Sequence, residues 1–389
     1  MTTSHANAVR WTNRIGVARR LLEAVLPLPV HVEQLTTSQL ELGGATSFTR
    51  TTTIVELHGG GHVGRGEDIS YDGGTQAKLP AAYAARTDLL GEWTVASLAE
   101  HLDQQPFHVP GGESMDDKVG YHRWAIEAAV LDLALRQHGT DLASLVEADW
   151  KPVQVSLSMG LGSPPTADVV HEWLERDDTV TFKLDASKGW SHDLVQQLAA
   201  AGSAVATVDM KAMYHGDWID TDYPASLYAA IGSGLEHALI EDAKLNDETL
   251  DALDERALGR LTWDYPITAP HDVPGLAGSA ATFSELRPAA INIKPSRFGS
   301  LERLLGTIDL CEREGIPCYS GGQYELGVGR TQVQAIASLC FPDAPNDCAP
   351  VMFHAATPAS DDVPLGPVVP PAGHVGFGWD APTRATTVE

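Results

Sequence analysis

Several short segments end on ionisable side chains in a pattern that could do chemistry. TFKLD carries Lys183 and Asp185, VDMK carries Asp209 and Lys211, LIE ends on Glu241, INIK ends on Lys294, and APHDV offers His271 and Asp272. In an extended segment, residues two apart project to the same side, so Lys183 points with Asp185 and Asp209 with Lys211. A lone acid at a strand end is ordinarily a cap or a surface pair, but acids on consecutive segments that converge repel one another unless a cation joins them. An all-oxygen pocket of this kind suits a hard divalent ion such as Mg²⁺. Lysines beside it, partly desolvated and near other cations, acquire lowered pKa values and can serve as general bases. Acids and lysines together suit removal of a proton next to a carboxylate, because a metal neutralises the enediolate that forms.

Such a site needs elements that bring the segment ends to one rim. Short apolar or β-branched runs at 152–159, 180–185, 204–209, 237–241, 265–269, 289–294, 316–320 and 349–354 alternate with helical patterns such as TADVVHEWLERD and SLERLLGTIDLCEREG. Strands alternating with helices predict a parallel α/β barrel, whose active site lies at the C-terminal strand ends. An open doubly wound sheet is second, because no GxGxxG loop follows the first strand. The first part of the chain differs. TRTTTIVELHGGGHVGRGE reads as a hairpin with a glycine-rich turn, followed by helical segments, which predicts a small α+β unit. The tail VPLGPVVPPAGHVGFGWD is too rich in Pro and Gly for a barrel helix and is expected to return to that unit. The expected division is 1–120, 121–355 and 356–389.

Composition narrows the partners. With 52 Asp and Glu against 26 Lys and Arg, the chain carries a formal charge of −26 at pH 7, which disfavours nucleic acid and anionic membrane surfaces. Cys311, Cys318, Cys340 and Cys348 show no CxxC spacing and read as core thiols of a reducing compartment. No apolar run reaches the length of a membrane span, and VRWTNRIGVARRLLEAVL reads as an amphipathic surface helix, with a targeting segment as the alternative. A cytoplasmic protein acting on small molecules is the expectation.

The chain also resembles a known family over nearly its whole length. TTTIVELHGGGHVGRGE is similar to the capping-domain hairpin of the enolase superfamily, YHRWAIEAAVLDLALRQHG to the helix leading into its barrel, and INIKPSRFGSLERLLGTIDLCEREGIPCYSG to its sixth strand, helix and seventh strand. GGQYELGVGR resembles the Glu-containing segment that follows. The likeness is to the muconate-lactonising and mandelate-racemase-like members. It implies a (β/α)7β TIM-like barrel with an α+β capping domain, Mg²⁺ as cofactor, a small-molecule carboxylate substrate, and association into a homo-oligomer.

By this resemblance Asp209 and Glu241 match the first two metal ligands, Lys294 the sixth-strand lysine, and Glu325 an acid lining the site. The family usually writes Pro-Ile-Ala-x-Asp-Glu-Ser for the third ligand, whereas PITAPHDV puts Pro270 where the Asp belongs. Asp272 is preferred there, then His271, then Asp264. Arg50 is a candidate for a distal carboxylate of the substrate. The family's second strand ends Lys-x-Lys and its third reads Asp-x-Asn, but here Asp185 and Lys211 fill the last place of each. Two readings stay open: Asp185 and Lys211 form a structural ion pair that leaves Lys294 as the single base, or Lys183 or Lys211 faces Lys294 across the substrate. One base serves a lyase, dehydratase or cycloisomerase, and two serve a racemase or epimerase. A metal-binding barrel with lost or altered activity is the alternative function. The Asp and His of mandelate racemases are not seen on strands six and seven, and His354 reads as a core or edge histidine.

Overall fold

The computed structural model describes residues 9–43, 49–109, 120–214, 221–355, 357–360, 366–379 and 386–388. Near the N-terminus, β1 (Pro29–Val32) pairs with β5 (Gly91–Thr94), and β2 (Gln34–Leu42), β3 (Arg50–Gly59) and β4 (His62–Asp68) form an antiparallel sheet. The β3–β4 turn is Gly60-Gly61, with φ of 58° and 78°, the two left-handed positions that a tight hairpin of this hand demands. β13 (Thr386–Val388) adds to the free edge of β2, so the tail ends on this sheet. The α-helix Tyr121–Gln137 is buried along most of its length, with its charged residues Arg123, Glu127, Asp132 and Arg136 paired with one another. It lies against β4 at contact distance because Gly64 and Gly66 carry no side chain. A Cβ on Gly64 would meet Leu133 N at 2.2 Å, and one on Gly66 would meet Ala125 O at 2.0 Å.

The second unit is a parallel barrel. Its strands are β6 (Ser156–Gly160), β7 (Thr181–Asp185), β8 (Val205–Asp209), β9 (Leu239–Glu241), β10 (Leu261–Trp263), β11 (Ala290–Ile293) and β12 (Cys318–Ser320), paired in sequence order. The ring closes at Asn346-Asp347, where isolated parallel bridges join Val155 to Asn346 and Gly321 to Asp347. Asn346 reinforces the closure with its amide, accepting from Ser320 N at 2.8 Å and donating to Gln154 O at 3.0 Å. The architecture is therefore the closed barrel with a capping domain, not the open sheet.

Two strands lie elsewhere than expected. The fifth is Leu261–Trp263 rather than 265–269, since Pro266 has no N–H for a ladder and the chain turns after Asp264 through the bond from Ile267 N to Asp264 O, 3.1 Å. The stretch 349–354 is not the eighth strand; Val351–Ala355 is a short 3₁₀ turn, and Asn346-Asp347 takes the strand's place. All four cysteines are buried thiols. No helix among the described residues is long and apolar enough to cross a membrane.

Candidate active site

Strand register brings the charged ends together. Asp185 pairs with Asp209, and Asp209 with Glu241, so three carboxylates stand level on adjacent strands. Thr262 on β10 is the partner of Glu241 and its hydroxyl lies 3.2 Å from Tyr319 OH, which in turn donates to Glu241. Asp264, two residues beyond Thr262, continues on that side. As a result, Asp209, Glu241 and Asp264, all buried, present ligand oxygens within 4.8 Å of one another. Neither Asp272 nor His271 joins this group. The Asp272 carboxylate accepts from Thr268 N at 2.9 Å and Thr268 Oγ1 at 2.8 Å, while the His271 side chain is 64% exposed. The displacement follows from the earlier end of β10.

Cations ring the acids. Lys183, only 2% exposed, contacts Glu241, Asp209 Oδ2 at 3.3 Å and Asp347 Oδ2 at 3.8 Å. Lys211 lies 3.0 Å from Asp185 Oδ1 and 2.9 Å from Asp209 Oδ2, and its side chain is 26% exposed. Lys294 meets Asp264 Oδ2 at 2.8 Å, and Arg297 holds the other oxygen of Asp264. Gly321 makes room for this arrangement, since a Cβ there would fall 2.3 Å from Asn292 Oδ1 and 2.5 Å from Lys294 Cε. Asn292 Nδ2 donates to Glu241 Oε2 at 3.1 Å.

The electrostatics expose a deficit of positive charge. Among the described residues around the pocket, Asp185, Asp209, Glu241, Asp242, Asp264 and Asp347 face Lys183, Lys211, Lys294 and Arg297, a formal excess of two acids. The excess falls on particular groups. Burial, with Asp209 adding to it and Lys183 opposing, pushes the Glu241 carboxyl up to about 8, and burial with Asp264 and Asp209 pushes Asp242 up to about 7. Against burial, Lys211 and Lys183 hold Asp209 well below the usual carboxylate range, and Arg297 and Lys294 hold Asp264 low. Burial lowers the Lys183 and Lys211 amines, but Glu241 and Asp209 for the first and Asp185 and Asp209 for the second outweigh it and raise both well above the ordinary lysine value. Three close buried carboxylates, in a pocket whose described acids outnumber its cations by two, fit a hard divalent cation.

Backbone strain concentrates at the same rim. Among the described residues four non-glycine residues have positive φ, and three of them, Lys211 (51°), Asp242 (50°) and Tyr324 (61°), follow the ends of β8, β9 and β12.

Two other expected residues have different surroundings. Arg50 is buried, and its guanidinium donates to Ser70 O (3.0 Å), Ile69 O (2.6 Å), Gln323 O (3.1 Å) and Tyr324 O (3.1 Å). It ties the capping unit to the segment after β12, which commits it to main-chain carbonyls instead of a ligand carboxylate. Glu325 is buried too, accepting from Gln323 N at 2.8 Å and paired with Arg330 at 3.0 Å. Arg330 also meets His354 Nε2 at 2.9 Å, and burial with Arg330 and Arg50 pushes the His354 imidazole well below its usual range, so it is neutral. Sequence reasoning did not single out Arg297, Asp242, Asn292, Tyr319 or Asp347. Arg297, three residues after Lys294 in KPSR, and Asp242, beside Glu241, were visible as charges without an evident partner.

Two family models divide the chain between them. DUF8230, described as a domain of unknown function, matches with its N-terminal domain at residues 23–145 and with its C-terminal domain at 149–355. The chain belongs to the DUF8230 family. Among curated proteins, this DUF8230 chain is 28% identical over 224 residues to an N-succinylamino acid racemase of an Amycolatopsis species, covering 55% of the chain and 56% of the racemase. It is 26% identical over 276 residues to an o-succinylbenzoate synthase of Geobacillus kaustophilus, covering 67% of each. The racemase match thus spans little more than half of that relative's length. Among solved structures, muconate lactonizing enzyme from Pseudomonas putida superposes with a TM-score of 0.60 at 18% identity over 92% of this chain and 97% of that one. A dipeptide epimerase from Enterococcus faecalis V583 does so with a TM-score of 0.60 at 16% identity, over 90% and 100%. The fold of the DUF8230 chain is that of the enolase superfamily, and its curated relatives are enzymes.

Proposed function

We propose that this protein removes the α-proton of a small carboxylate substrate in a Mg²⁺-dependent lyase, cycloisomerase or racemase/epimerase reaction. The observation that carries the reading is the Asp209, Glu241 and Asp264 group, set in a pocket whose described acids outnumber its cations by two and flanked by lysines from three other positions on the rim. Those three carboxylates are the proposed ligands. A divalent ion there would supply the positive charge that a developing enediolate requires. Lys294, next to Asp264, and Lys211, next to Asp209, are the proposed proton-transfer groups, released from their carboxylates when those take up another cation. Lys183, buried against Glu241 and Asp209, would balance charge beneath the substrate rather than touch it. Asp185 would hold Lys211 in place.

The names of the relatives suggest the first substrates to try, N-succinylamino acids and dipeptides. Incubation with Mg²⁺ in D₂O should give α-deuterium exchange visible by NMR, and Lys294→Ala should lower its rate by about 10²–10⁴-fold. If Lys211 is the opposed group, Lys211→Ala abolishes racemisation while exchange of one enantiomer survives. Wild-type-like exchange in Lys294→Ala would overturn the base assignment. The double ion pairing of Lys211 favours a second reading, a barrel that binds metal with altered or lost activity, and Mg²⁺ binding without exchange of any acid tested would select it.

A further inference from the structure

Asp242 follows the second proposed metal ligand and uses every polar group it has. Its N–H donates to Thr262 O at 3.0 Å and its carbonyl accepts from Ala212 N at 2.9 Å. Its carboxylate accepts from Asp264 N at 2.8 Å and Tyr265 N at 3.0 Å. The residue is fully buried and holds a φ of 50°, a conformation that side chains other than glycine adopt at a cost. One residue thereby joins the ends of β8, β9 and β10. Two successive N–H groups aimed at one carboxylate fix the orientation of both peptide planes, so the chain turns at once after Trp263 and Asp264 stays on the pocket side.

We infer that Asp242 is a positioning residue for Asp264, aiming the third carboxylate of the cation pocket by gripping the two main-chain N–H groups at that turn. This rests on the metal-site reading above. It accounts for a third carboxylate placed directly at the end of a three-residue strand, where the short ladder itself offers little to hold it. An asparagine in this place keeps one acceptor oxygen and turns an NH₂ group toward the other N–H, so one of the two anchors is lost and a buried donor is left facing a donor.

The test is Mn²⁺ binding to the full chain, read by electron paramagnetic resonance, for wild type, Asp242→Asn and Asp264→Asn, with circular dichroism as the check on folding. Asp242→Asn is expected to bind Mn²⁺ about 10- to 100-fold more weakly, the range found when groups supporting metal ligands are altered, and Asp264→Asn at least as weakly. A purely structural joint would lower the melting temperature while leaving Mn²⁺ affinity unchanged, and a folded Asp242→Asn protein that binds as tightly as wild type overturns the inference. A second measurement needs no variant. In the metal-free wild type the Asp264 and Tyr265 amides should exchange slowly with deuterium, and fast exchange overturns the grip by Asp242. Absence of Mn²⁺ binding by the wild type would overturn the metal reading itself, a result distinct from either of these.

Discussion

At the level of single residues, the pocket stores its charge imbalance in Glu241 and Asp242, whose carboxyls stand at about 8 and about 7 against ordinary values of 4.5 and 3.8. Between the ordinary and the raised values the folded chain holds protons that the unfolded chain has released. Folded metal-free protein therefore loses stability as pH rises from about 5 to about 8, the reverse of an ion-paired carboxylate. Asp209 and Asp264, shifted downward, act in a separate window, contributing stability that disappears only as pH falls through the acid range. Melting temperatures measured across pH 5 to 8 in EDTA and high salt should fall, and added Mg²⁺ should restore more of the loss at the upper end. A flat or rising curve in EDTA would contradict this account of the pocket. The acids Asp209 and Glu241 were legible in the sequence because each ends an apolar run. Asp264 was less so, because its prominence depends on where a three-residue strand stops.

At the level of elements, the joint between cap and barrel is built from buried charges meeting main-chain groups. Glu67 at the end of β4 accepts from Leu326 N at 2.6 Å, Gly327 N at 3.0 Å and Gly329 N at 2.8 Å, so a carboxylate from one unit caps the N-terminus of the helix Val328–Cys340 in the other. Burial pushes this carboxyl up despite those bonds, with Glu325 adding to the shift. Arg50, at the start of β3, makes the matching joint by donating to Ile69 O and Ser70 O on its own side and to Gln323 O and Tyr324 O across it. Glu67→Gln should cost about 1.5–3 kcal/mol in urea unfolding, the worth of hydrogen bonds to a charged acceptor, and should speed amide exchange at Leu326, Gly327 and Gly329. Unchanged exchange at those three amides would show that the helix is capped without Glu67. The glycine-rich hairpin announced itself in the sequence, but the partner of its final acid lies some 260 positions away. No local pattern encodes such a contact.

At the scale of the whole molecule, charge is distributed unevenly. Of the eight lysines in the chain, Lys183, Lys211 and Lys294 lie in the pocket, so most of the net charge of −26 falls outside it, with few ammonium groups there to offset it. Self-repulsion of this kind opposes the compact state and is screened as the Debye length shrinks from about 10 Å at 0.1 M salt to about 3 Å at 1 M. The melting temperature should therefore rise steadily with KCl over this range, and a melting temperature independent of KCl would remove surface repulsion as a determinant of stability. The barrel's buried ion pairs are screened much less, so Mn²⁺ affinity should respond far more weakly than stability to the same salt.

Sequence by itself determined the alternation of strands and helices, the separate α+β start, the acids and lysines that close the apolar runs, and the likeness to the enolase superfamily, because these are properties of neighbouring residues. Tertiary structure decided which acid completes the pocket, that Asn346-Asp347 closes the ring, that Arg50 serves main-chain carbonyls, and that Asp242 grips the turn carrying Asp264. The reason is physical. A side chain's role depends on what lies within about 3 Å of it, and for each of these residues at least one deciding neighbour comes from a different segment of the chain.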